Sequence, residues 1–202
     1  MLRVVLGERK MQTKMIKIKT LEIAGFASTL QALRLPFGLN ARSGANFWER
    51  WYSPDEENKF GNFRSSTNCD INAKDLALMK TLIKRGDEHA KAIRGIIVYA
   101  EINAPRYWWS EADCYRAGTE RLSSESTMHM QGKGLSTDEL VAMKEALPEG
   151  TMQKRVQYFS YQTLRRIYVQ RKDHRLPHWH IFCDWIKTLP FADELIMIGI
   201  DD

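Results

Sequence analysis

Residues 95–103 read GIIVYAEIN and run straight into Ala104-Pro105. The run is rich in β-branched and aromatic side chains, which suit the pleated surface of a strand. Pro105 ends that strand at a defined place. Its ring presets φ for the first turn of a helix, where its missing N–H costs little. The helix it opens is expected to reach about Arg116, with Gly118 just past its end. A strand that turns directly into a helix in mid-chain requires a sheet with helices laid on it.

The other periodic segments agree with that requirement. Met15–Ile23 (MIKIKTLEI) alternates with period two and reads as an early strand. A helix is expected from Asn72 or Ala73 to Lys84, with Leu76, Met79, Leu82 and Ile83 as its apolar stripe and Gly86 to stop it. Ser136 and Glu139 have the spacing of a capping box ahead of Leu140. Another helix covers Tyr161 to Arg171. Pro177 opens a last one with Trp179, Phe182, Cys183 and Ile186 on a single face. Leu195–Ile200 reads as a terminal strand, and Gly38–Arg64 as a long ordered surface loop with embedded aromatics. The fold class expected is α/β in the broad sense (α+β): helices packed on a small, largely antiparallel sheet. Residues 1–14 read as a flexible N-terminal segment, and 15–202 as one domain.

Charge narrows the partners only moderately. Lys and Arg number 30 against 25 Asp and Glu, so the +5 balance permits a phosphate-bearing partner without requiring one. No apolar run approaches the roughly 20 residues that cross a bilayer, and the first residues lack the apolar centre of a secretory signal. Cys69, Cys114 and Cys183 are odd in number and form no C-x-x-C pair, as expected of reduced thiols in the cytoplasm. Cys114 reads as a buried structural thiol.

Two stretches can carry chemistry. On a helix from Pro105, the residues Tyr107, Trp108, Glu111, Cys114 and Tyr115 approach one another through three- and four-residue spacing. They form either an aromatic core stripe with Glu111 at its margin or the wall of a planar-ligand pocket, with Glu111 and Arg116 on the ligand's polar edge. The run Ser123-Ser124-Glu125-Ser126-Thr127 is either a polar turn or a phosphate-binding one. His174 and His178 share metal-ligand spacing, but Leu176-Pro177 sets a helix boundary between them, which favours surface or interface histidines. The basic stretch Arg165–Arg175 reads as a solvated face with one substrate-facing arginine; nucleic-acid binding is the less favoured alternative.

From His89 onward the order of residues resembles the flavin-dependent thymidylate synthases, the ThyX family. That family has a Gly-His motif followed fifteen residues later by Ala-Pro, then a helix carrying Gln and ending in Arg-His-Arg. Here His89 stands fifteen residues before Ala104-Pro105, Glu111 occupies the Gln position, and Cys114-Tyr115-Arg116 replaces Arg-His-Arg without a gap. Further on, Lys144-Glu145-Ala146-Leu147-Pro148, Ser160-Tyr161-Gln162, Gln170-Arg171 and His178-Trp179-His180-Ile181 match Arg-x-x-Leu-Pro, Asn-x-Arg, Leu-Arg and Gln-Trp-Glu-Ile. The resemblance spans about Thr81 to Trp185.

The resemblance implies a homotetramer that binds FAD and dUMP near its subunit interfaces. It implies transfer of a one-carbon unit from methylenetetrahydrofolate to C5 of the uracil ring, with NADPH supplying the hydride. By position, His89, Tyr115 and Arg116 would contact FAD, and Glu111, Ser124, Ser126, Lys144 and Arg171 the pyrimidine nucleotide. His89, Arg116 and Arg171 are therefore expected around one cavity. The family's phosphate-binding arginine falls on Ser126 or Met128, its second arginine of Asn-x-Arg on Gln162, and its Glu-His pair after Pro-Phe on Arg94-Gly95. These changes leave a second reading open: a non-catalytic nucleotide-binding protein on the same scaffold.

Overall fold

The computed structural model describes residues 15–37, 71 and 73–200. The N-terminal segment 1–14, the Gly38–Arg64 loop and Cys69 lie outside the described residues. Along the chain run β1 (Lys17–Ala24), α1 (Phe26–Arg34), α2 (Ala73–Lys84), β2 (Ile97–Pro105), α3 (Arg106–Ala112) and β3 (Thr119–Ser124). There follow α4 (Thr127–Gln131), α5 (Thr137–Glu145), β4 (Met152–Ser160), α6 (Tyr161–Arg171) and α7 (Pro177–Lys187). Short 3₁₀ turns cover Leu35–Phe37 and Ala90–Arg94, and a π-turn covers Ala192–Ile196.

The four strands form one antiparallel sheet in the order β1-β2-β4-β3. The GIIVYAEIN run supplies an inner strand, paired on both edges. Val98, Ala100, Ile102 and Ala104 on its inner face are each 0% exposed, and they alternate with half-buried neighbours. The period-two alternation of a strand with one covered face is thus met. Phe26 of α1, Met79 of α2, Tyr161 of α6 and Phe182 of α7 join that face in one core cluster. Helices on a small antiparallel sheet were expected, and that is the architecture found.

Two local devices hold the start of the domain. Gly25 has φ 94°, and a Cβ there would sit 1.8 Å from the carbonyl oxygen of Gly95, so only glycine allows the β1–α1 turn to close against it. Arg34 at the end of α1 donates Nε to Asp75 Oδ1 at 3.1 Å and its Nη2 to Oδ2; both side chains are largely buried. This bidentate pair ties α1 to α2.

Several expectations are corrected. α3 stops at Ala112 instead of reaching Arg116, because Asp113 caps it and Cys114 and Tyr115 continue as a tight turn. Cys114 is exposed, not buried. Ser123 and Ser124 close strand β3, and Ser126 caps α4, so the Ser123–Thr127 run is a strand-to-helix junction rather than a free turn. The terminal strand expected at Leu195–Ile200 is replaced by the π-turn and bends. Phe191 at φ 54° redirects the chain, and Arg165 Nη1 donates to the carbonyls of Ile196 (2.7 Å) and Ile198 (2.8 Å). A cation thus satisfies carbonyls that a strand would have offered to a neighbour.

β4 escaped the sequence reading because its inward residues include Arg155 and Gln157, 8% and 4% exposed. Their polarity breaks the apolar alternation that marks a strand. β3 escaped because it is exposed almost throughout.

Burial pushes the Cys183 thiol on α7 up to about 11, whereas Cys114 is exposed. The thiolate is the reactive species. In native protein at pH 8, iodoacetamide is therefore expected to label Cys114 and spare Cys183 until denaturant is added, as read by peptide mass mapping.

Candidate functional site

Three groups of polar side chains border the core, and the residues singled out in the sequence are divided among them. The first lies where α3, the end of α6 and the start of α7 meet. Glu111 Oε2 accepts from Arg171 Nη1 at 2.9 Å and from the indole Nε1 of Trp179 at 2.8 Å. Arg171 Nε donates to the Tyr115 hydroxyl at 2.8 Å, which in turn donates to Gln170 Oε1 at 2.9 Å. The guanidinium carbon of Arg171 lies 4.5 Å from the Trp179 ring centre, a stacked cation–π arrangement. His174 Nε2 approaches Glu111 Oε2 at 3.6 Å. Four of these residues are remote from Glu111 in sequence. Pro177 at the first turn of α7 brings Trp179 back under the end of α6.

The turn carrying Tyr115 is braced from below. Arg155 on β4 donates Nη1 to Asp113 Oδ1 at 2.8 Å and stacks 4.3 Å from the Trp109 ring centre. Burial pulls the Arg155 guanidinium below its ordinary value, and the Asp113 carboxylate opposes that. Gly118, at φ 76°, then starts β3; a Cβ there would lie 2.5 Å from both Ser160 Oγ and Thr163 Oγ1. Beside this brace the hydroxyl of Tyr107 meets His178 Nε2 at 3.2 Å. Burial, and then the Glu111 charge, raise the Tyr107 hydroxyl above the ordinary phenol range. His178 and His174 thus face different partners, Tyr107 and Glu111.

The second group holds the remaining nucleotide candidates. Ser126 accepts from the His129 backbone N–H at 3.4 Å as the cap of α4, and Lys144 of α5 donates to the Thr127 hydroxyl. Ser124 is exposed at the end of β3, opposite Arg155 in the sheet register. That register, and the hydrogen bonds running from the Glu125 carbonyl through Gln153 and Arg155 to Asp113, link this group to the Asp113–Tyr115 turn.

His89 belongs to a third place. It lines a cavity of about 480 Å³ between α1, α2 and the Ala90–Arg94 turn, with Leu33, Pro36, Leu78, Leu82 and Lys91 among its walls. Thr29 also lines it, and the Thr29 hydroxyl is buried without a hydrogen-bond partner among the described residues. Neither Arg116 nor Arg171 lines this cavity. Arg116 is exposed beside Tyr115. The expectation that His89, Arg116 and Arg171 share one cavity is therefore not met within a single chain.

Two sequence positions that depart from the ThyX pattern touch each other. Arg94 Nε donates to Gln162 Oε1 at 2.5 Å, and Gln162 Nε2 donates to the Asp87 carbonyl at 3.1 Å. Arg166 completes the network through Asp87 Oδ2 at 3.0 Å. The contact at these two positions thus joins a guanidinium at 94 to an amide at 162. Trp179, His174 and Gln170 were missed as site residues. Trp179 resembled an ordinary core position, and only the fold brings α7 against Glu111.

Comparison with solved structures bears on the fold. Thymidylate synthase X from Helicobacter pylori, crystallised with FAD and dUMP, superposes with a TM-score of 0.60 at 13% identity, covering 92% of this chain and 98% of that one. A second structure from the same organism, described as flavin dependent and complexed with FAD and dUMP, gives 0.58 at 14% identity over 89% and 97%. The fold is ThyX-like. A UMP/dUMP methylase, PolB from Streptomyces cacaoi bound with 5-Br dUMP, gives 0.55 at 10% identity over 92% and 93%. No family model and no curated protein matches the sequence.

The brace beneath Tyr115 is open to direct test. Asp113→Ala leaves the Arg155 cation without its carboxylate and is expected to cost about 2 kcal/mol, measured by urea denaturation. Removing both partners together is expected to cost less than the sum of the single changes.

Proposed function

We propose that this chain is a divergent flavin-dependent thymidylate synthase-like protein that binds FAD and a pyrimidine nucleotide of the dUMP type. The reading is supported by one observation: on a ThyX-like fold, Glu111 and Arg171, for which the resemblance implies nucleotide contacts, are hydrogen-bonded to each other beside the buried Trp179. The part-exposed Tyr115 ring, packed edge-on against the buried Trp179 and beside charged groups, suits one side of a flat heterocycle. Ser124, Ser126 and Lys144 supply hydroxyls and an ammonium suited to a phosphate.

His89 and Lys91 in the lining of a largely apolar cavity, with the Thr29 hydroxyl that has no hydrogen-bond partner among the described residues, fit a planar ring carrying anionic groups. His89, Tyr115 and Arg116 are the residues proposed to hold FAD, which when bound would supply redox chemistry. NADPH and methylenetetrahydrofolate are the co-substrates of the full reaction on this reading. Because the cavity and Arg116 are apart in one chain, the flavin site is completed by a second copy. Leu122, Met128, Met130 and Val141, exposed on β3, α4 and α5, support self-association, and the homotetramer is the form the resemblance implies. Among the described residues no helix is long and apolar enough to cross a membrane, and the cytoplasm is the proposed location.

The second reading, a nucleotide-binding protein without turnover, is favoured by one observation: Arg171 is already paired with a carboxylate of its own chain.

Purified protein is expected to be yellow, or to become so on adding FAD, with absorbance in the visible blue. His89→Ala is expected to weaken FAD binding by about tenfold, consistent with loss of one good contact. Colourless protein that takes up no added FAD removes the flavin reading. FAD and dUMP binding without methyl transfer selects the second.

A further inference from the structure

The turn that carries His89 is held from beneath by the start of α6. The His89 side chain lines the α1–α2 cavity but is 49% exposed, and Glu88 Oε1, 3.9 Å from its Nε2, is too far to fix the ring. The place of the ring therefore depends on the backbone that bears it. That backbone is a tight turn in which the Gly86 carbonyl accepts the N–H groups of His89 (3.0 Å) and Ala90 (3.1 Å). Between them the Asp87 carbonyl turns toward α6, where Gln162 Nε2 donates to it at 3.1 Å; Arg94 Nη2 approaches the same oxygen at 3.4 Å. The Asp87 carboxylate takes Arg166 Nε at 3.0 Å.

These anchors are unequal. The Arg166 and Asp87 side chains are 42% and 50% exposed, and an ion pair so open to water holds little. Gln162 is 5% exposed, so its bonds are shielded from competing water. Its amide also has both functions that the place requires. Oε1 accepts from Arg94 Nε, which orients the amide and aims Nε2 at Asp87. A carboxylate at 162 would keep the first bond and set an oxygen against the Asp87 carbonyl. A guanidinium would keep the second and confront the Arg94 cation.

We propose that Gln162 is a positioning residue for His89: its amide, oriented by Arg94, holds the Asp87 carbonyl and so sets where the imidazole stands in the cavity wall. That the imidazole meets FAD there rests on the reading above; the positioning itself does not.

NMR of the histidine rings and titration with FAD test the two points separately. The chain has five histidines, and the ring signal lost in His89→Ala identifies that of His89. Gln162→Glu, which keeps the Arg94 contact, is expected to shift or broaden the His89 signal in ligand-free protein, and Arg166→Ala to leave it in place. Should Gln162→Glu not fold, Gln162→Met, which lacks both polar functions, serves the same readouts. FAD affinity is expected to fall about tenfold in Gln162→Glu, as for one lost contact. The same change made in His89→Ala is expected to cost less than about threefold, because residues that act through one another are not additive. Fully multiplicative effects in the double variant overturn the proposal. So does an unmoved His89 signal, or an Arg166→Ala effect as large as that of Gln162→Glu. Wild-type protein that takes up no FAD removes the flavin reading alone, and the ring signal then decides the positioning: a shift upholds it, and no shift overturns it.

Discussion

Strand β2 is paired along both edges and sealed along one face, and the positions of the other elements follow from that. Burying Val98, Ala100, Ile102 and Ala104 removes apolar area that contributes about 25 cal/mol for each Å² taken from water. The burial is possible only if helices arrive on that side. The switch at Pro105 then turns the same chain into α3, so the register of β2 dictates where Trp108, Trp109 and Glu111 stand. Trp108 and Trp109 become core, and Glu111, one turn further, reaches the boundary. Of the two readings of this aromatic helix, the core stripe with Glu111 at its margin is the one seen: its apolar side fills the interior while its carboxylate faces the end of α6.

Legibility in the sequence followed the physics of each segment. α6 was read with its bounds, and α2 and α7 were readable from their apolar stripes, caps and stop signals, which are local. β4 was hidden because Arg155 and Gln157 occupy inward positions, where they pair with Asp113 and Thr119. No local pattern announces a strand whose buried face is polar. The π-turn at Ala192–Ile196 depends on Arg165 reaching carbonyls some thirty residues away, again a nonlocal cause. The candidate site shows the same division. Glu111, Tyr115 and Arg171 were named from sequence and do meet, whereas Trp179 was visible only as a core residue until the start of α7 was placed.

Charge pairing is the recurring theme at the border of the core. Arg155 is matched by Asp113, Arg166 by Asp87 and Arg171 by Glu111. Half-buried cations of this kind are costly when alone, so the sequence supplies each with a carboxylate. Arg94 is matched differently, by the Gln162 side-chain carbonyl, so a neutral amide stands where the other cations meet a carboxylate.

The clamp between Arg34 and Asp75 has a consequence for the evolution of such chains. It fixes the separation of two points 41 positions apart in sequence, independently of whatever joins them. Lengthening a connection between anchored ends raises its closure cost only logarithmically, about 0.6 kcal/mol per doubling. Insertions and deletions between these anchors are therefore cheap for the scaffold, and relatives of this protein can diverge there in size while the sheet behind them stays unaltered.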